Sequence, residues 1–365
     1  MNRIILIGNG FDLAHGLPTS YKDFIDDYWT NKVIKLKRTI HFVNEENDPF
    51  EIFNFSVNGF YFNPQLKESY YELIKLIEEN GGNFRFKNQF LKIITEKCGI
   101  QNWVDVENEY YELLKDCIEG KKYYKDVDEL NKDFDRIKSL LKDYLRKISQ
   151  QEIPIRYNIR NHIYKPFFCS EITKLGLKKL DENENIKLPG KEPVYPETIC
   201  FLNFNYTNTQ EPYLDQSDFE LDEHINTKVI HIHRKLDDDS IIFGYGDEIG
   251  EDYAKIENLN DNKYLENMKS IKYLETMDYR KLLDFINDGL YQIYIFGHSC
   301  GNSDRTLLNT LFEHENCVSI KPFFHQREDG TDNYTDIVMN ISRHFSSKAM
   351  MRDKVVNREL CEPLL

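Results

Sequence analysis

The chain opens with a short apolar segment that predicts a buried strand. The residues from Arg3 to Gly8 are mostly apolar, and a glycine ends the run. Such a run suits a strand that is buried on both faces and leads into a tight loop. Thr19 or Ser20 then has the residue type of a helix N-cap, and apolar residues recur at helical spacing from Tyr21 to Trp29. The sequence therefore predicts a strand, a polar loop and a helix in this order.

Between about residues 66 and 148 the apolar residues recur with a helical period. The segments that show this period are Leu66–Ile77, Val106–Cys117 and Val127–Ile148. In the third segment, steps of three and four alternate over three heptads, which is the pattern of a coiled-coil seam. The seam predicts either a helix docked on its own domain or a contact between two copies of the chain.

After Pro196 the pattern changes to short apolar runs that are rich in β-branched and aromatic residues and predict strands. The predicted strands are 198–205, 229–233, 241–246, 291–297 and 317–324. Segments 280–288 and 306–314 between them are predicted helices. Strands that alternate with helices indicate a parallel sheet covered on both faces.

These elements predict an α/β fold with a parallel-sheet nucleotide-binding core. We assign the core to residues 1–30 and 190–350, which makes it discontinuous in sequence. A large, mainly helical subdomain, residues 31–189, is inserted after the first strand, and residues 351–365 form a C-terminal tail.

Composition narrows the possible classes of function. The 365 residues include 47 Lys and Arg against 62 Asp and Glu, and the net charge of −15 disfavours nucleic acid or an anionic membrane as the main partner. No segment approaches the roughly 20 apolar residues of a membrane span, and we expect no secretory signal. The seven cysteines are scattered, with no Cys-x-x-Cys pair, so we expect reduced thiols and a cytoplasmic location.

The loop after the first predicted strand contains Gly8, Asn9, Gly10, Phe11 and Asp12. Glycines here let the backbone turn sharply and approach a phosphate group, which a helix N-terminus then favours electrostatically. The third glycine of the dinucleotide-binding fingerprint is absent, which argues against an ordinary dinucleotide dehydrogenase. A plain tight turn explains the glycines equally well, but the polar side chains favour a ligand site at the carboxyl end of the strand.

Alternating asparagines, Asn203 and Asn205, mark the end of the second predicted core strand. The carboxyl edge of a parallel sheet is where α/β proteins bind ligands. Because an amide both donates and accepts hydrogen bonds, such a side chain is suited to hold a water molecule or a ribose hydroxyl. The alternative is that these asparagines cap the following turn.

Two histidines, His231 and His233, alternate at the end of the third predicted core strand. In a strand they point to the same face, as two metal ligands would. No further ligand accompanies them with the spacing of a zinc site, so a metal site is not predicted. One such histidine is more often a hydrogen-bonded core residue, and the one at the strand's end is a candidate general base.

The loop 297–304 is the fourth polar loop at the end of a predicted strand, and it contains His298 and Ser299. These side chains are suited to contact a ribose or a phosphate group. The segment also fits Gly-x-Ser-x-Gly, the nucleophile-elbow pattern of serine hydrolases, with Asp336 and His344 in triad order. An elbow needs a helix immediately after the serine, and polar residues delay that helix here, so we prefer a binding loop.

The predicted insertion contains one pair of closely spaced carboxylates, Asp105 and Glu107, after Trp103. Carboxylates near a helix start interact favourably with the helix dipole, which is the simplest role for both. The alternative is that one of them reaches a ligand cleft.

The motif from Ile4 to Tyr21 resembles the opening of the AbiH-type bacteriophage abortive-infection proteins. It contains the polar glycine loop and continues through His15-Gly16-Leu17-Pro18-Thr19-Ser20. Three later segments look like further motifs of the same family: Trp103–Glu107, Asn203–Tyr206 and Gly297–Ser299. The resemblance implies a role in defence against bacteriophage.

The order of these motifs is also similar to that in sirtuin-like NAD-consuming domains of anti-phage systems, which implies a sirtuin-like Rossmann-type core. In that correspondence Gly8 and Gly10 fall on the first glycine loop. Asn205 falls on the catalytic asparagine and His233 on the catalytic histidine, while segment 297–299 falls on the ribose loop.

Three positions depart from the sirtuin-like pattern. Asn9 replaces an alanine, Thr207 stands where aspartate is usual, and Arg234 replaces the glycine after the histidine. A cation beside the supposed base would lower the pKa of that base by repulsion, or would bind a phosphate group.

The resemblance implies hydrolysis of NAD to nicotinamide and ADP-ribose, through an oxocarbenium-like transition state and with no further cofactor. Asn205 would position the ribose or water, His233 would act as general base, and Asp12 would face the nicotinamide. The other expected ligand contacts are Gly8, Asn9, Gly10, Phe11, Thr19, Tyr206, Gly297, His298, Ser299 and Asp304.

Two other functions remain open at this stage. The first is a sensor that binds NAD, ADP-ribose or a related nucleotide without cleaving it, which the departures at Thr207 and Arg234 favour. The second is a nuclease that uses Asp12, Asp105 and Glu107 around a divalent metal, which the net charge of −15 disfavours. Further partners would be a phage-derived trigger, another defence protein, or a second copy bound through the helical insertion.

Overall fold

The computed structural model describes residues 1–38, 44–55, 69–101, 105–121, 123–182, 193–216, 225–238 and 240–365. The strands are β1 (Asn2–Ile7), β2 (Phe50–Phe53), β3 (Asn83–Phe86), β4 (Thr198–Asn203), β5 (Asn226–His231), β6 (Tyr291–Phe296) and β7 (Cys317–Phe323). Five of them form one sheet in the order β5-β4-β1-β6-β7, and every neighbouring pair in it is parallel. Strands β2 and β3 form a separate antiparallel pair.

The sheet has the strand order of a doubly wound nucleotide-binding fold. Counted within the five-stranded sheet alone, the order β5-β4-β1-β6-β7 reads 3-2-1-4-5. The order reverses between β1 and β6, and in such folds the carboxyl edge beside the reversal is the usual ligand position. The predicted α/β fold with a parallel-sheet core is therefore confirmed.

Fourteen α-helices are found in the described residues. They are α1 (Asn9–Ala14), α2 (Tyr21–Arg38), α3 (Tyr70–Glu79), α4 (Gln89–Gln101), α5 (Val106–Ile118), α6 (Val127–Ile148), α7 (Tyr157–Ile163), α8 (Lys174–Asp181), α9 (Glu251–Asn258), α10 (Lys269–Lys272), α11 (Asp278–Asp288), α12 (Arg305–Glu313), α13 (Tyr334–Arg343) and α14 (Lys348–Lys354). Ser20 is the N-terminal cap of α2, since its hydroxyl accepts from the Asp23 N–H at 3.1 Å. No described helix has both the length and the apolar character needed to cross a membrane.

The first strand shows why the sheet is buried on both faces. Ile4 and Leu6 pack into a core with helices α11, α12 and α13, whereas Ile5 and Ile7 pack into a second core with α1 and α7. Successive side chains of a strand point to opposite faces, so an uninterrupted apolar run supplies both cores.

The chain divides into two compact units. The first contains residues 1–17, 148–258 and 267–365, and the second contains residues 18–147 and 259–266. The boundaries of 31 and 189 that we predicted for the insertion differ from this division, because α7 and α8 belong to the first unit. Residues 351–365 also belong to the first unit, where Val355 and Pro363 form bridges beside β7.

In the second unit, the apolar seam of α6 is buried within the unit itself. Phe134 of this seam stacks on Tyr110 of α5 with 4.1 Å between ring centroids, and its edge meets Phe90 of α4 at 5.4 Å. Residues 130, 134, 137 and 141 of the seam are 0–1% exposed. The seam thus belongs to a helix that is docked on its own unit.

One further predicted strand is wrong, and two residues of the sequence predictions lie outside the described part of the chain. The predicted strand 241–246 is not a strand, because only Tyr245 pairs, through an isolated bridge to Met268. Gly244 contributes no side chain there, and a Cβ on it would lie 2.0 Å from the Asn267 carbonyl oxygen. Leu66, the predicted start of α3, and Trp103 lie outside the described residues.

Candidate functional site

The four polar loops start together because the ends of the strands are in register. Ile7 of β1 pairs with Asn203 of β4 and Phe296 of β6, and Asn203 pairs with His231 of β5. The residues that follow each strand therefore leave the sheet at the same carboxyl edge. All four loops belong to the first unit.

The loops after β1 and β6 are in direct backbone contact. A Cβ on Gly8 would lie 2.4 Å from the His298 Cα atom, and a Cβ on Gly297, whose φ is +69°, would lie 2.1 Å from the Phe11 nitrogen. The Gly8 N–H donates to the Phe296 carbonyl at 3.1 Å, and the Gly10 N–H donates to the Gly297 carbonyl at 2.9 Å. The Gly8 and Gly10 N–H groups are therefore not available for the predicted phosphate cradle, since one bonds to the end of β6 and the other to the loop that follows it.

Four other residues on or near the β1 loop were predicted to contact a ligand. The Phe11 ring is fully buried in the core, with the His15 ring 4.6 Å away, so it is not placed to contact a ligand. Asp12 is 1% exposed and accepts a hydrogen bond from the Thr207 hydroxyl at 2.7 Å. Asn9 is half-buried at the start of α1. Thr19 belongs to the second unit.

The asparagines after β4 hold their own loop and the β1 loop. The Asn203 amide donates to the Thr207 carbonyl at 2.9 Å, and its oxygen accepts from the Asn205 N–H at 2.8 Å. The Asn205 amide in turn donates to the Gly8 carbonyl at 3.0 Å. The turn-capping role considered for Asn203 is confirmed, while Asn205 lies against the glycine loop at the sheet edge. The Tyr206 hydroxyl donates to the Ile242 carbonyl at 3.1 Å.

A buried charged cluster lies at this edge and joins three of the predicted residues. We call His233, His298, Asp304 and Lys269 the Asp304 cluster; all four are at most 7% exposed. One Asp304 carboxylate oxygen, Oδ1, is 3.1 Å from His233 Nε2 and 2.9 Å from Lys269 Nζ. The other, Oδ2, is 3.6 Å from His298 Nε2. The loops after β5 and β6 thus meet on one carboxylate.

Backbone partners indicate the protonation of the two histidine rings. The Phe204 carbonyl, 3.0 Å from His233 Nδ1, can only accept, so Nδ1 carries a proton and neutral His233 has its lone pair on Nε2. The Cys300 N–H donates to His298 Nδ1 at 3.0 Å, so the proton of neutral His298 lies on Nε2, toward Asp304. The Tyr273 hydroxyl is 3.3 Å from His233 Nε2.

Burial and neighbouring charges shift the pKa values of His233 and Asp304. Burial, reinforced by the Lys269 cation, lowers the pKa of His233 below 6.5, although Asp304 opposes this shift. Burial would raise the pKa of Asp304, but Lys269 and His233 outweigh it and hold that pKa well below its usual range. These two shifts favour an ionised Asp304 carboxylate and a neutral His233 imidazole.

Arg234, the cation expected to act on His233, has another role. Its guanidinium pairs with Glu275 at 3.1 Å, and Lys269 supplies the repulsion that we had assigned to it. Its φ of +65° lies in the left-handed region that favours glycine, the residue of the sirtuin-like pattern at this position.

The serine-hydrolase alternative is not supported by the loop after β6. Ser299 is exposed, Asp336 is exposed on α13, and helix α12 begins only at Arg305. His344, the supposed triad base, bonds through Nε2 to the Cys300 carbonyl at 2.8 Å. The residues of a triad are therefore not assembled.

The side chains considered for a metal site have other roles in the described structure. His231 lies 3.3 Å from the Gln210 amide, outside the Asp304 cluster, because β5 ends at His231 and His233 follows in a turn. Asp105 caps α5 by accepting from the Asn108 N–H at 3.0 Å, the structural role expected for it. Among the described side chains, no three His, Cys, Asp or Glu are grouped as a metal site.

Sequence reasoning missed Lys269 and Tyr273. Both lie on or just after the short helix α10, far along the chain from any polar loop, and no motif accompanies them. Lys269 is completely buried beside Asp304. A lysine in this segment gives no sequence signal of burial, because lysines are usually exposed.

Comparison with known proteins identifies the family. No curated protein and no solved structure gives a significant match to the chain. The family model described as bacteriophage abortive infection AbiH matches residues 4–326, a range that includes the four polar loops and the Asp304 cluster. The chain therefore belongs to the bacteriophage abortive infection family AbiH.

Proposed function

We propose that this abortive-infection protein hydrolyses NAD to nicotinamide and ADP-ribose. The observation that carries the proposal is the Asp304 cluster, in which His233, His298 and Asp304 meet at the carboxyl edge of a sheet of nucleotide-binding order. Buried titratable groups at such an edge are characteristic of functional sites.

In the proposed reaction, the bond between the nicotinamide nitrogen and the ribose C1′ breaks, and its electron pair stays on the nicotinamide ring. A water oxygen bonds to C1′ through an oxocarbenium-like transition state. The water gives one proton to His233 Nε2, and that proton is later released to solvent. No co-reactant other than water is required.

His233 is suited to accept this proton. Its Nδ1 proton is held by the Phe204 carbonyl, its lone pair is on Nε2, and its pKa is lowered, so the ring is in the basic form at neutral pH. Asp304, 3.1 Å from the same nitrogen, would stabilise the imidazolium that forms. The attacking water would take the place that the Tyr273 hydroxyl occupies, because that 3.3 Å contact is the longest at Nε2.

The ligand would bind along the loops that follow β4 and β6. Asn205 lies against Gly8 and would position the ribose or the water. The phosphates would be bound by groups other than the Gly8 and Gly10 N–H groups, which already donate within the protein.

The test is nicotinamide release from NAD by the purified protein, followed by chromatography. We expect release by the wild type and a loss of roughly 10²- to 10⁴-fold in His233→Ala, the usual contribution of a general base. Asn205→Ala should also lose activity. An unchanged rate in either variant contradicts the assigned role of that residue.

A second candidate is a sensor that binds NAD or a related nucleotide without cleaving it. The specific observation in its favour is that His233 Nε2 already faces Asp304 and the Tyr273 hydroxyl. The sensor predicts that NAD raises the unfolding temperature through binding, with no nicotinamide released. Release that is lost in His233→Ala excludes it.

A further inference from the structure

A charged cavity lies within the second unit, between helices α2 and α6. Its volume is about 260 Å³, slightly below the range of roughly 300–1,000 Å³ that is typical of small-molecule sites. The segment before β2 contributes Glu45, Asp48 and Pro49 to its lining. A cavity of this volume can hold only a small ligand.

One end of this cavity has an excess of positive charge. Lys32 of α2 is under the electrostatic influence of Lys35, Lys87, Arg136 and one carboxylate, that of Glu45, and it also pairs with Asp48. Lys87 does not line the cavity, so the lining at this end has three cations and two carboxylates, an excess of one positive charge. We call this the Arg136 end of the cavity.

Arg136 has no hydrogen-bond or ion-pair partner among the residues that the structure describes, and its Nε atom is buried without an acceptor. Burial, reinforced by the cations around it, lowers the pKa of Lys32 to about 8. An anion bound here would give the guanidinium an acceptor and relieve the repulsion among the cations.

The opposite end of the cavity offers hydrogen-bond acceptors and apolar contacts. The Asp27 carboxylate accepts from the Asn31 amide at 2.8 Å, and burial raises its pKa. Phe24 and Leu140 line the same cavity. A ligand that has hydroxyl groups on a partly apolar body would match this end.

We propose that this cavity binds a small phosphate monoester of the sugar-phosphate class. Its phosphate would lie at the Arg136 end, where the forked guanidinium matches phosphate oxygens and the lining carries one excess positive charge. Its hydroxyl groups would donate to Asp27. This site lies wholly within the second unit, so the inference does not rest on NAD hydrolysis by the Asp304 cluster.

The experiment measures binding of ribose 5-phosphate, inorganic phosphate and free ribose to the full chain by calorimetry. The variants are Arg136→Gln and Arg136→Lys, and the matched control is Arg146→Gln, an exposed arginine of the same helix outside the cavity lining. Unfolding curves without ligand establish that each variant is folded, which is expected since Arg136 loses no hydrogen bond or ion pair to the described residues.

We expect ribose 5-phosphate to bind more tightly than inorganic phosphate, and free ribose to bind least. Arg136→Gln should weaken ribose 5-phosphate binding at least about tenfold, the effect of losing one charge-assisted hydrogen bond. Arg136→Lys should be intermediate and Arg146→Gln unchanged. No binding of ribose 5-phosphate at millimolar concentration, or equal binding by folded Arg136→Gln, overturns the proposal.

Discussion

Two buried lysine–carboxylate pairs in the first unit allow a direct comparison. Lys269 and Asp304 are 2.9 Å apart at the carboxyl edge of the sheet, and Lys321 and Glu171 are 2.6 Å apart beside β7. In both pairs the side chains are at most 9% exposed. The pairs therefore have similar geometry and similar desolvation, and differ in their neighbours.

The Lys321 pair belongs to a network of strong ions and amides. We call Arg3, Glu171, Gln292 and Lys321 the Arg3 cluster. Arg3 donates to the Ile163 carbonyl at 2.9 Å and to Gln292 at 3.2 Å, and Gln292 donates to Glu171 at 3.1 Å. The Arg3 guanidinium also lies 4.2 Å from the centre of the Tyr294 ring. These contacts tie strands β1 and β6 to the segment that follows α7.

The comparison separates a buried charged cluster without histidines from one that contains two. The four members of the Arg3 cluster are an arginine, a lysine, a glutamate and a glutamine, and none of these side-chain types ordinarily titrates near neutral pH. The Asp304 cluster brings two histidines to its carboxylate, and histidine is the side chain that exchanges protons in this range. The side chains around each ion pair, more than the ion pair itself, thus distinguish the Asp304 cluster from the Arg3 cluster.

The largest predicted effect comes from removing the carboxylate of each pair, which should change protein stability in both clusters but nicotinamide release in only one. Asp304→Asn and Glu171→Gln each remove the carboxylate nearest to a buried lysine, and Lys321 keeps only a 3.6 Å contact with Glu362, so both should lower the free energy of unfolding by up to about 3–5 kcal/mol. Only Asp304→Asn should also reduce nicotinamide release by folded protein, by roughly 10²-fold or more. Denaturant titration and the NAD assay check these values. Equal activity losses would contradict the distinction between the clusters.

The contact between the β1 and β6 loops predicts the next effect. Gly297→Ala should lower the unfolding free energy by about 2–4 kcal/mol, because the new Cβ would combine a left-handed φ with a 2.1 Å approach to Phe11. Gly16→Ala is the matched control, since its φ is +80° and a Cβ there has open space within 4 Å. It should cost only about 1 kcal/mol. Similar losses in the two variants would show that the loop contact is unimportant.

The pH dependence of stability should reveal the lowered pKa of His233. Its folded pKa is below the usual 6.5, so the folded protein binds fewer protons than the unfolded chain. The resulting stability is present above pH 6.5 and is lost as the pH falls through the folded pKa. His233→Gln should flatten this loss by up to about 1.4 kcal/mol per pH unit, measured by denaturant titration. An unchanged slope would contradict the lowered pKa.

The smallest effect concerns the hydroxyl beside the proposed base. Tyr273→Phe removes a hydrogen bond of about 0.5–1 kcal/mol from His233 Nε2 and should raise nicotinamide release by up to about fivefold. The control is Tyr334→Phe, which removes a hydroxyl that donates to the Val356 carbonyl at 2.8 Å and should not change the rate. A large loss of rate in Tyr273→Phe would show that the hydroxyl takes part in the reaction.

Much of the fold could be predicted because it depends on local pattern. The uninterrupted apolar run of β1 indicates burial on both faces, and the α6 seam indicates a helix. The segment 241–246 was mispredicted because its apolar residues suit a strand, while the close approach of Asn267 to Gly244 depends on tertiary structure. The unit boundary at Ile148 has no composition change to mark it.

The candidate site was predictable only in part. Parallel strand ends meet at one edge, which explains why His233, His298 and Asp304 converge as expected. The sequence does not reveal that Gly8 and Gly10 bond to the neighbouring loop, because a glycine needed for backbone contact and one needed for a phosphate look the same. Lys269 was missed because its burial depends on an ion pair between distant segments.

The most direct test of the account uses two histidines with similar partners. His15 and His233 each face a backbone carbonyl through Nδ1 and a tyrosine hydroxyl through Nε2, but only His233 faces a carboxylate. Nicotinamide release should therefore fall roughly 10²-fold or more in His233→Gln and stay near the wild-type rate in folded His15→Gln. Equal rates in the two variants would contradict the claim that the Asp304 cluster performs the chemistry.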